Sequence, residues 1–540
     1  MKTKEKSMVC RIAIIWLSAI VLVLLPECGS QRGNMQAVFN GLTLAKPLKA
    51  YGDVNPIYLQ RFGADPYGLV YKDRVYVYMT GDTFNLSSGS SPMPDFSNLE
   101  HNDYSNINTI RVVSSSDLVN WTEHPEIKAA GSQGAAMQAR NSWAPAAAYK
   151  NIDGKDYFFL YFADNASGIY VLRAESPLGP FINPRPDGSA LINRQTPNCS
   201  DVTWLFDPAV LADDDGKYYI YFGGGIPSGG KASQFLSNDP LPGTERAVQL
   251  GNDMISLAGT PQSLNAPFIF EDSGINKING TYYYSYCSNF NVTTYLQKPK
   301  EFPAARTIGK NGAITYMTGK NPLGPYTLQK MILPNPKEIF NQHGSGSNNH
   351  HAIFEFRGKY YILYHTRLLE MAMGVPGSIP REGYRSTHID EVTILADGSI
   401  KEINGTRKGA AQSGHFNPFE LTSAATIGTQ AGINTTAIPS EQRMKVTDID
   451  SGDWIAIYGA DFGNEGAQKF YCRITPPKNG RGAIQIKQNG LDGKPIGYVN
   501  IEPGKPEITI ELPQIITGVH DLVFIFYGKG YDFEEWQFIK

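Results

Sequence analysis

Three carboxylates recur at one offset in this chain. Asp65, Asp207 and Glu271 each stand eleven residues before the first tyrosine of a Tyr-rich segment, at Tyr76, Tyr218 and Tyr282. Two further tyrosines of this kind, Tyr157 and Tyr360, put Ala146 and Asn349 at the same offset. A lone Asp or Glu is usually a solvated charge. These three lie instead among apolar and aromatic neighbours, in Phe62-Gly-Ala-Asp65-Pro, Trp204-Leu-Phe-Asp207-Pro and Phe268-Ile-Phe-Glu271. Several carboxylates around one point suit cleavage of a glycosidic bond. One acid protonates the leaving oxygen, and a second activates water or attacks the sugar. A third holds the proton donor at a raised pKa, because neighbouring like charges disfavour ionisation.

The elements that must position these acids are hairpins. Each ruler tyrosine belongs to a short apolar strand, a polar turn and a Tyr-rich strand, and the five tyrosines are spaced by 81, 61, 64 and 78 residues. Helical periodicity is nearly absent, and Gly, Pro, Asn and Asp turns punctuate Tyr, Val and Ile runs, an all-β signature. Periods of this size with several strands each predict the blades of a five-bladed β-propeller. In that architecture the first strand of every blade lies at the central axis, so acids at equal offsets converge there.

A chain of 540 residues exceeds one core. The hairpins fill residues 46–410. Residues 411–430 turn to Gly, Ala, Thr and Ser and read as a linker. Residues 431–540 carry closely spaced short strands and predict a β-sandwich of jelly-roll type. The net charge of −3 gives no support for nucleic acid or an anionic membrane face as partner. Thirty tyrosines and 26 phenylalanines suit strands and can stack on sugar faces.

Lys2, Lys4, Lys6 and Arg11 precede an apolar run over 12–25. That run suits an export signal and is short for a membrane span, which needs ~20 residues. Leu25-Pro-Glu-Cys28-Gly-Ser resembles a bacterial lipoprotein box, with Glu27 where a small residue is usual. Residues 1–28 are therefore expected to be a signal and 29–45 a tether. The expected protein is exported, either as a cell-surface or periplasmic lipoprotein held through Cys28 or as a secreted form. Cys199, Cys287 and Cys472, scattered beyond Cys28, make no disulfide framework and no metal-binding CxxC pair.

The motifs Ala64-Asp65-Pro66, Ser115-Ser-Asp-Leu-Val-Asn-Trp121, Trp143-Ala-Pro145, Phe206-Asp207-Pro208 with Asp213-Asp-Asp-Gly216, and Phe270-Glu271-Asp-Ser-Gly-Ile-Asn-Lys277 together resemble glycoside hydrolase family 43. The resemblance spans about 50–405 and implies a five-bladed propeller and an inverting mechanism. It implies Asp65 as general base, Glu271 as general acid and Asp207 as the group that raises and orients Glu271, with the Asp65 and Glu271 carboxyls ~6.5–9.5 Å apart. No cofactor is needed for such chemistry. The stretch from Asn265 to Phe290, with Asn348-Asn-His-His-Ala-Ile-Phe-Glu355 and Gly383-Tyr-Arg-Ser-Thr-His-Ile-Asp390, looks most like the arabinoxylan arabinofuranohydrolase branch. That implies an exo-acting α-L-arabinofuranosidase on a plant cell-wall polysaccharide, arabinoxylan or its oligosaccharides. The competing readings are β-xylosidase, endo-arabinanase, and a non-catalytic surface glycan-binding protein on the same scaffold.

Other residues are candidates for the cleft. Trp143, Trp204 and Phe290 either stack on sugar rings or pack between blades. Arg385 can donate to sugar hydroxyls, and Asn349 holds the ruler position of the fifth hairpin. Family members often carry a histidine that faces an axial cation through water. Here that would be His350 or His351, with His350 the candidate and a structural calcium at the axis implied. Imidazole is itself a poor calcium ligand, so a hydrogen-bonded core histidine competes. The C-terminal segments Val446-Thr-Asp-Ile-Asp-Ser-Gly-Asp-Trp454, Gly459-Ala-Asp-Phe-Gly463, Gly518-Val-His-Asp-Leu522 and Trp536-Gln-Phe538 resemble a family 6 carbohydrate-binding module. Pro503-Gly-Lys-Pro-Glu-Ile-Thr-Ile lacks the tryptophan many such modules carry, which leaves Tyr471 and Tyr531 as its candidate stacking residues.

Overall fold

The computed structural model describes residues 35–82, 102–227, 241–340, 348–374 and 383–540. Cys28 and the expected leader lie outside them. Among the described residues no helix is long and apolar enough to cross a membrane.

Each of the five sequence hairpins forms an antiparallel pair: Ala64–Tyr71 with Arg74–Thr80, Trp143–Ile152 with Lys155–Ala163, Ala209–Ala212 with Tyr218–Gly223, Ile269–Ile278 with Thr281–Ser288, and His351–Phe356 with Lys359–Thr366. Four of them close through two consecutive left-handed residues: Lys72-Asp73, Asp153-Gly154, Asn279-Gly280 and Arg357-Gly358. Two positive φ values in a row twist the chain to match the flanking strands. Asn-Gly and Asp-Gly do this readily. Lys72-Asp73 does it without a glycine.

Each hairpin belongs to its own sheet. The first strands touch in cyclic order. Ala64–Tyr71 meets Trp143–Ile152, which meets Ala209–Ala212, then Ile269–Ile278, then His351–Phe356, which returns to Ala64–Tyr71. A separate apolar core fills each gap between neighbouring sheets. The Tyr-rich strands feed two cores at once, because side chains alternate across a strand. Tyr282, Tyr284 and Tyr286 point into one gap, and Tyr283 into the next.

The C-terminal part packs two antiparallel sheets over a core that includes Trp536, Phe470, Phe524 and Ile455. Tyr531 is buried in that core, so it is no stacking platform, which corrects the sequence expectation. Tyr471 is half-buried on the strand Ala467–Thr475.

The two parts are joined closely. The expected linker contributes strands to both: Thr426–Ile427 pairs with Trp121–Lys128, and Thr429–Ala431 with Trp454–Asp461. Asn120, buried at the seam, accepts from the Tyr458 N–H and donates to the Tyr458 carbonyl, both at 2.8 Å. The described part of the expected tether is also docked. Phe39, Leu42 and Leu44 lie on an apolar sheet face around Trp454, and the Trp454 indole donates to the Ala45 carbonyl at 3.0 Å. Burying a side chain such as Phe39 contributes about 1.5–3 kcal/mol, which accounts for a docked segment where composition predicts a loose one. Cys199, Cys287 and Cys472 are buried free thiols.

Candidate active site

The structure brings Asp65, Asp207 and Glu271 to one place, all nearly buried. Their charges act on one another. The imidazole Nδ1 of His350 lies 3.6 Å from Asp65 Oδ1 and 3.7 Å from Asp207 Oδ2.

Local backbone distortion aims them. Asp65 and Asp207 are left-handed, with φ of 47° and 49°, and each precedes a proline. Non-glycine residues reach this region at a cost of order 1–3 kcal/mol, so the surrounding packing must hold them. Ala144, before Pro145, has φ of 43° and is the counterpart of Asp65 in the second hairpin. The ruler pointed instead to Ala146, because this hairpin's arm is longer before its turn. The fourth hairpin uses another device. Register shifts on either side of Glu271 and a left-handed Asp272, with φ of 69°, turn two successive carboxylates the same way.

Both oxygens of Asp65 are committed. Arg385 Nη1 donates to Oδ1 at 2.9 Å and the Thr80 hydroxyl to Oδ2 at 2.7 Å. The Asp65 N–H meets His365 Nδ1 at 3.1 Å. A backbone N–H can only donate, so the ring proton sits on Nε2, toward the Asn348 carbonyl 3.1 Å away. Burial by itself raises the Asp65 carboxyl, but the Arg385 charge, with His365 and His350 acting the same way, outweighs it and holds the group far below the usual carboxylate range.

Glu271 is pushed the other way. Burial and then the charges of Asp207, Asp65 and Asp272 hold it well above the usual range, against the pull of Arg385. Burial and the Asp65 charge also raise Asp207. The two titrate as a coupled pair, and hydrogen bonding decides where their proton sits. Asp207 Oδ2 accepts the Asp272 N–H at 2.9 Å, whereas Glu271 Oε1 is buried with no partner among the described residues. The ionised form is better served at Asp207 and the proton at Glu271.

Asp272, Asp82, Thr80 and His365 carry this arrangement; no sequence motif marked the last three, and Asp272 stood in a quoted motif without a role. The only signal for Asp272 was its place beside Glu271. It accepts from the His351 N–H at 3.2 Å, and its other oxygen meets His351 Nδ1 at 2.5 Å. His351 Nε2 meets the Ser285 hydroxyl at 2.7 Å.

Of the other candidates, Arg385 is fully engaged with acids of the site and stacks on Tyr104, its Cζ 4.7 Å from the ring centroid. Trp143 donates to the Tyr104 carbonyl at 2.9 Å and is half-buried. Trp204 and Phe290 are half-buried too, and both meet Phe270 edge to face at 5.1 and 5.2 Å. They thereby brace the residue before Glu271 while keeping an exposed side. Asn349 is a correction. It has no exposed surface, and its amide donates to the Gly312 carbonyl at 3.1 Å, so it packs the interior rather than facing a sugar.

His350 stands among three carboxylates of the site. Its Nε2 lies 3.2 Å from Asp272 Oδ1 while Nδ1 faces Asp65 and Asp207. Burial, opposed by the Asp272 charge, lowers its pKa. Imidazole itself is a poor calcium ligand, and among the described residues no group of three or more His, Cys, Asp or Glu is arranged to hold a metal.

Residues 54–400 match the family described as glycosyl hydrolases family 43. The chain belongs to glycoside hydrolase family 43. Residues 423–540 match the carbohydrate binding module of family 6. An arabinoxylan arabinofuranohydrolase of Paenibacillus polymyxa is 41% identical over 91% of this chain and 75% of its own. A protein of the same name from Bacillus subtilis strain 168 is 39% identical over 99% of this chain and 100% of its own. Among solved structures, a family 43 arabinoxylan arabinofuranohydrolase from Bacillus subtilis in complex with cellotetraose superposes with a TM-score of 0.81, at 38% identity, over 92% of this chain and 99% of that one.

Proposed function

We propose that this family 43 hydrolase is an exo-acting α-L-arabinofuranosidase that removes arabinofuranosyl branches from arabinoxylan with inversion. The observation that carries the mechanism is the opposed tuning of two acids at one site. Asp65 stays ionised beside Arg385 and serves as general base toward water. Glu271 keeps a proton and serves as general acid toward the leaving xylan oxygen. Asp207 keeps Glu271 protonated and, by its hydrogen bond from the Asp272 N–H, fixes the chain beside it. As the glycosidic bond breaks, Glu271 gives its proton to the leaving oxygen. Asp65 takes one from the water that attacks the opposite face of the sugar, and the site is left ready to exchange the two. Acid, base and water suffice for this step, so the reading calls on no cofactor.

The substrate assignment rests on relatives that carry the arabinoxylan arabinofuranohydrolase name over nearly the full chain. The five sheets whose first strands touch in a ring support a five-bladed propeller as scaffold. The basic and apolar leader ending at Cys28 supports export, with lipid attachment at that cysteine holding the enzyme at the cell surface. Product analysis on wheat arabinoxylan tests the function. Release of arabinose with no xylose and no shortened backbone is expected. Release of xylose from xylo-oligosaccharides without arabinose overturns the assignment.

A further inference from the structure

We infer that Asp82 is a positioning residue of this reaction: acting through Arg385, it aims the Asp65 carboxylate at the attacking water. The inference rests on the proposed role of Asp65 as base. Asp82 is 1% exposed. Three N–H groups of Arg385 end on it: the backbone N on Oδ2 at 2.9 Å, Nε on Oδ2 at 3.0 Å and Nη2 on Oδ1 at 2.8 Å. A planar guanidinium gripped by such a fork cannot rotate. The direction of Nη1 is then set, and it donates to Asp65 Oδ1 at 2.9 Å. The Tyr104 ring fixes the same plane from its face.

The other Asp65 oxygen depends on the same piece of chain. Thr80, two residues before Asp82, receives the Ala144 N–H on its hydroxyl oxygen at 2.7 Å. Its own proton is therefore free only for Asp65 Oδ2, 2.7 Å away. The end of the strand Arg74–Thr80 thus orients one Asp65 oxygen directly and the other through Arg385. Among the described residues, the remaining charged or titratable groups facing Asp65 are His365, His350, Asp207 and Glu271. Those near Asp82 are Arg385, Arg111, whose Nη2 donates to the Asp82 carbonyl at 3.4 Å, and Glu370.

The test uses the full chain with Asp82→Ala, the near-isosteric Asp82→Asn, Arg385→Ala and the Asp82→Ala/Arg385→Ala pair. Arabinose release from arabinoxylan gives kcat, KM and the pH profile, and thermal melts report folding. Loss of aim should lower kcat by about 10²-fold in Asp82→Ala, with KM nearly unchanged and a smaller loss in Asp82→Asn. In Arg385→Ala, where Asp65 loses its cation, the acid limb of kcat/KM should move to higher pH. The pair should be no slower than Arg385→Ala alone, because both changes break one linkage. Additive losses, or a wild-type kcat in folded Asp82 variants, overturn the inference. Asp65→Asn separates the two levels. If it is inactive while Asp82→Ala is not impaired, only the positioning role falls. If Asp65→Asn is itself fully active, the role of Asp65 as base falls as well.

Discussion

The backbone N–H of Asp272 donates to Oδ2 of Asp207 at 2.9 Å, so the residue after the proposed proton donor is tied to the acid that tunes it. Two sheets are joined at the one point where their carboxyls must stay in register. The bond also favours the ionised form of Asp207, and an ionised Asp207 is what keeps Glu271 protonated. Asp207→Asn should therefore cut kcat severely and change the shape of the pH profile. Glu271 acts as its acid form, so activity is lost as pH rises through its pKa. Removing a neighbouring negative charge lowers that pKa, and the basic limb should move to lower pH. An unshifted basic limb in a folded Asp207→Asn protein means that Asp207 does not tune the donor.

Removing either proton-transfer group should be more drastic. Glu271→Gln leaves no proton to give the leaving oxygen, and Asp65→Asn leaves no base for water. Each should lower kcat by roughly 10³-fold or more, with circular dichroism and melting temperature close to wild type. Near-wild-type arabinose release in either variant would falsify its assigned role.

How far the site was legible follows from how each residue is held. The hairpins could be read because their causes are local: alternation, Tyr-rich strands, and turn pairs such as Asn279-Gly280 that accept positive φ. The three acids could be read because each sits at a fixed place on such a hairpin, close to the ring of first strands. The offset was only approximate, as Ala144 shows, since a longer arm moves the ruler without moving the bulge. Asp82 and His365 could not be read, because their contacts reach across sheets and leave no spacing along the chain, and Asp272 left only its place beside Glu271. Arg385 was selected for its chemistry, but its partner was taken to be sugar. Two buried acids claim it first. Composition likewise described 411–430 as a linker, yet the short strands there are fixed by pairing partners on both sides.

The stereochemical outcome is a separate prediction. If Asp65 serves water and forms no bond to the sugar, the first-formed arabinose carries the β configuration. Proton NMR during the opening minutes of hydrolysis of an α-arabinofuranoside should show the β-anomer ahead of the equilibrium mixture. The α-anomer appearing first would require a covalent intermediate and a nucleophile, and Asp65 would then have to attack carbon.

The seam between the two parts makes the last prediction. Asn120 pairs with both the N–H and the carbonyl of Tyr458 and also donates to Asp117 Oδ2 at 2.7 Å. The Tyr458 carbonyl keeps a second donor, Gln412 Nε2 at 3.0 Å, so Asn120→Ala leaves chiefly the buried Tyr458 N–H without a partner. A buried donor left in that state costs about 1–3 kcal/mol. The melting temperature should fall, while kcat and KM stay near wild type, because Asn120 touches none of the three acids. A variant that melts like wild type would show that the paired strands Thr426–Ile427 and Trp121–Lys128 hold the seam without it. One that loses activity at a temperature where it remains folded would mean that the module's seating reaches the site.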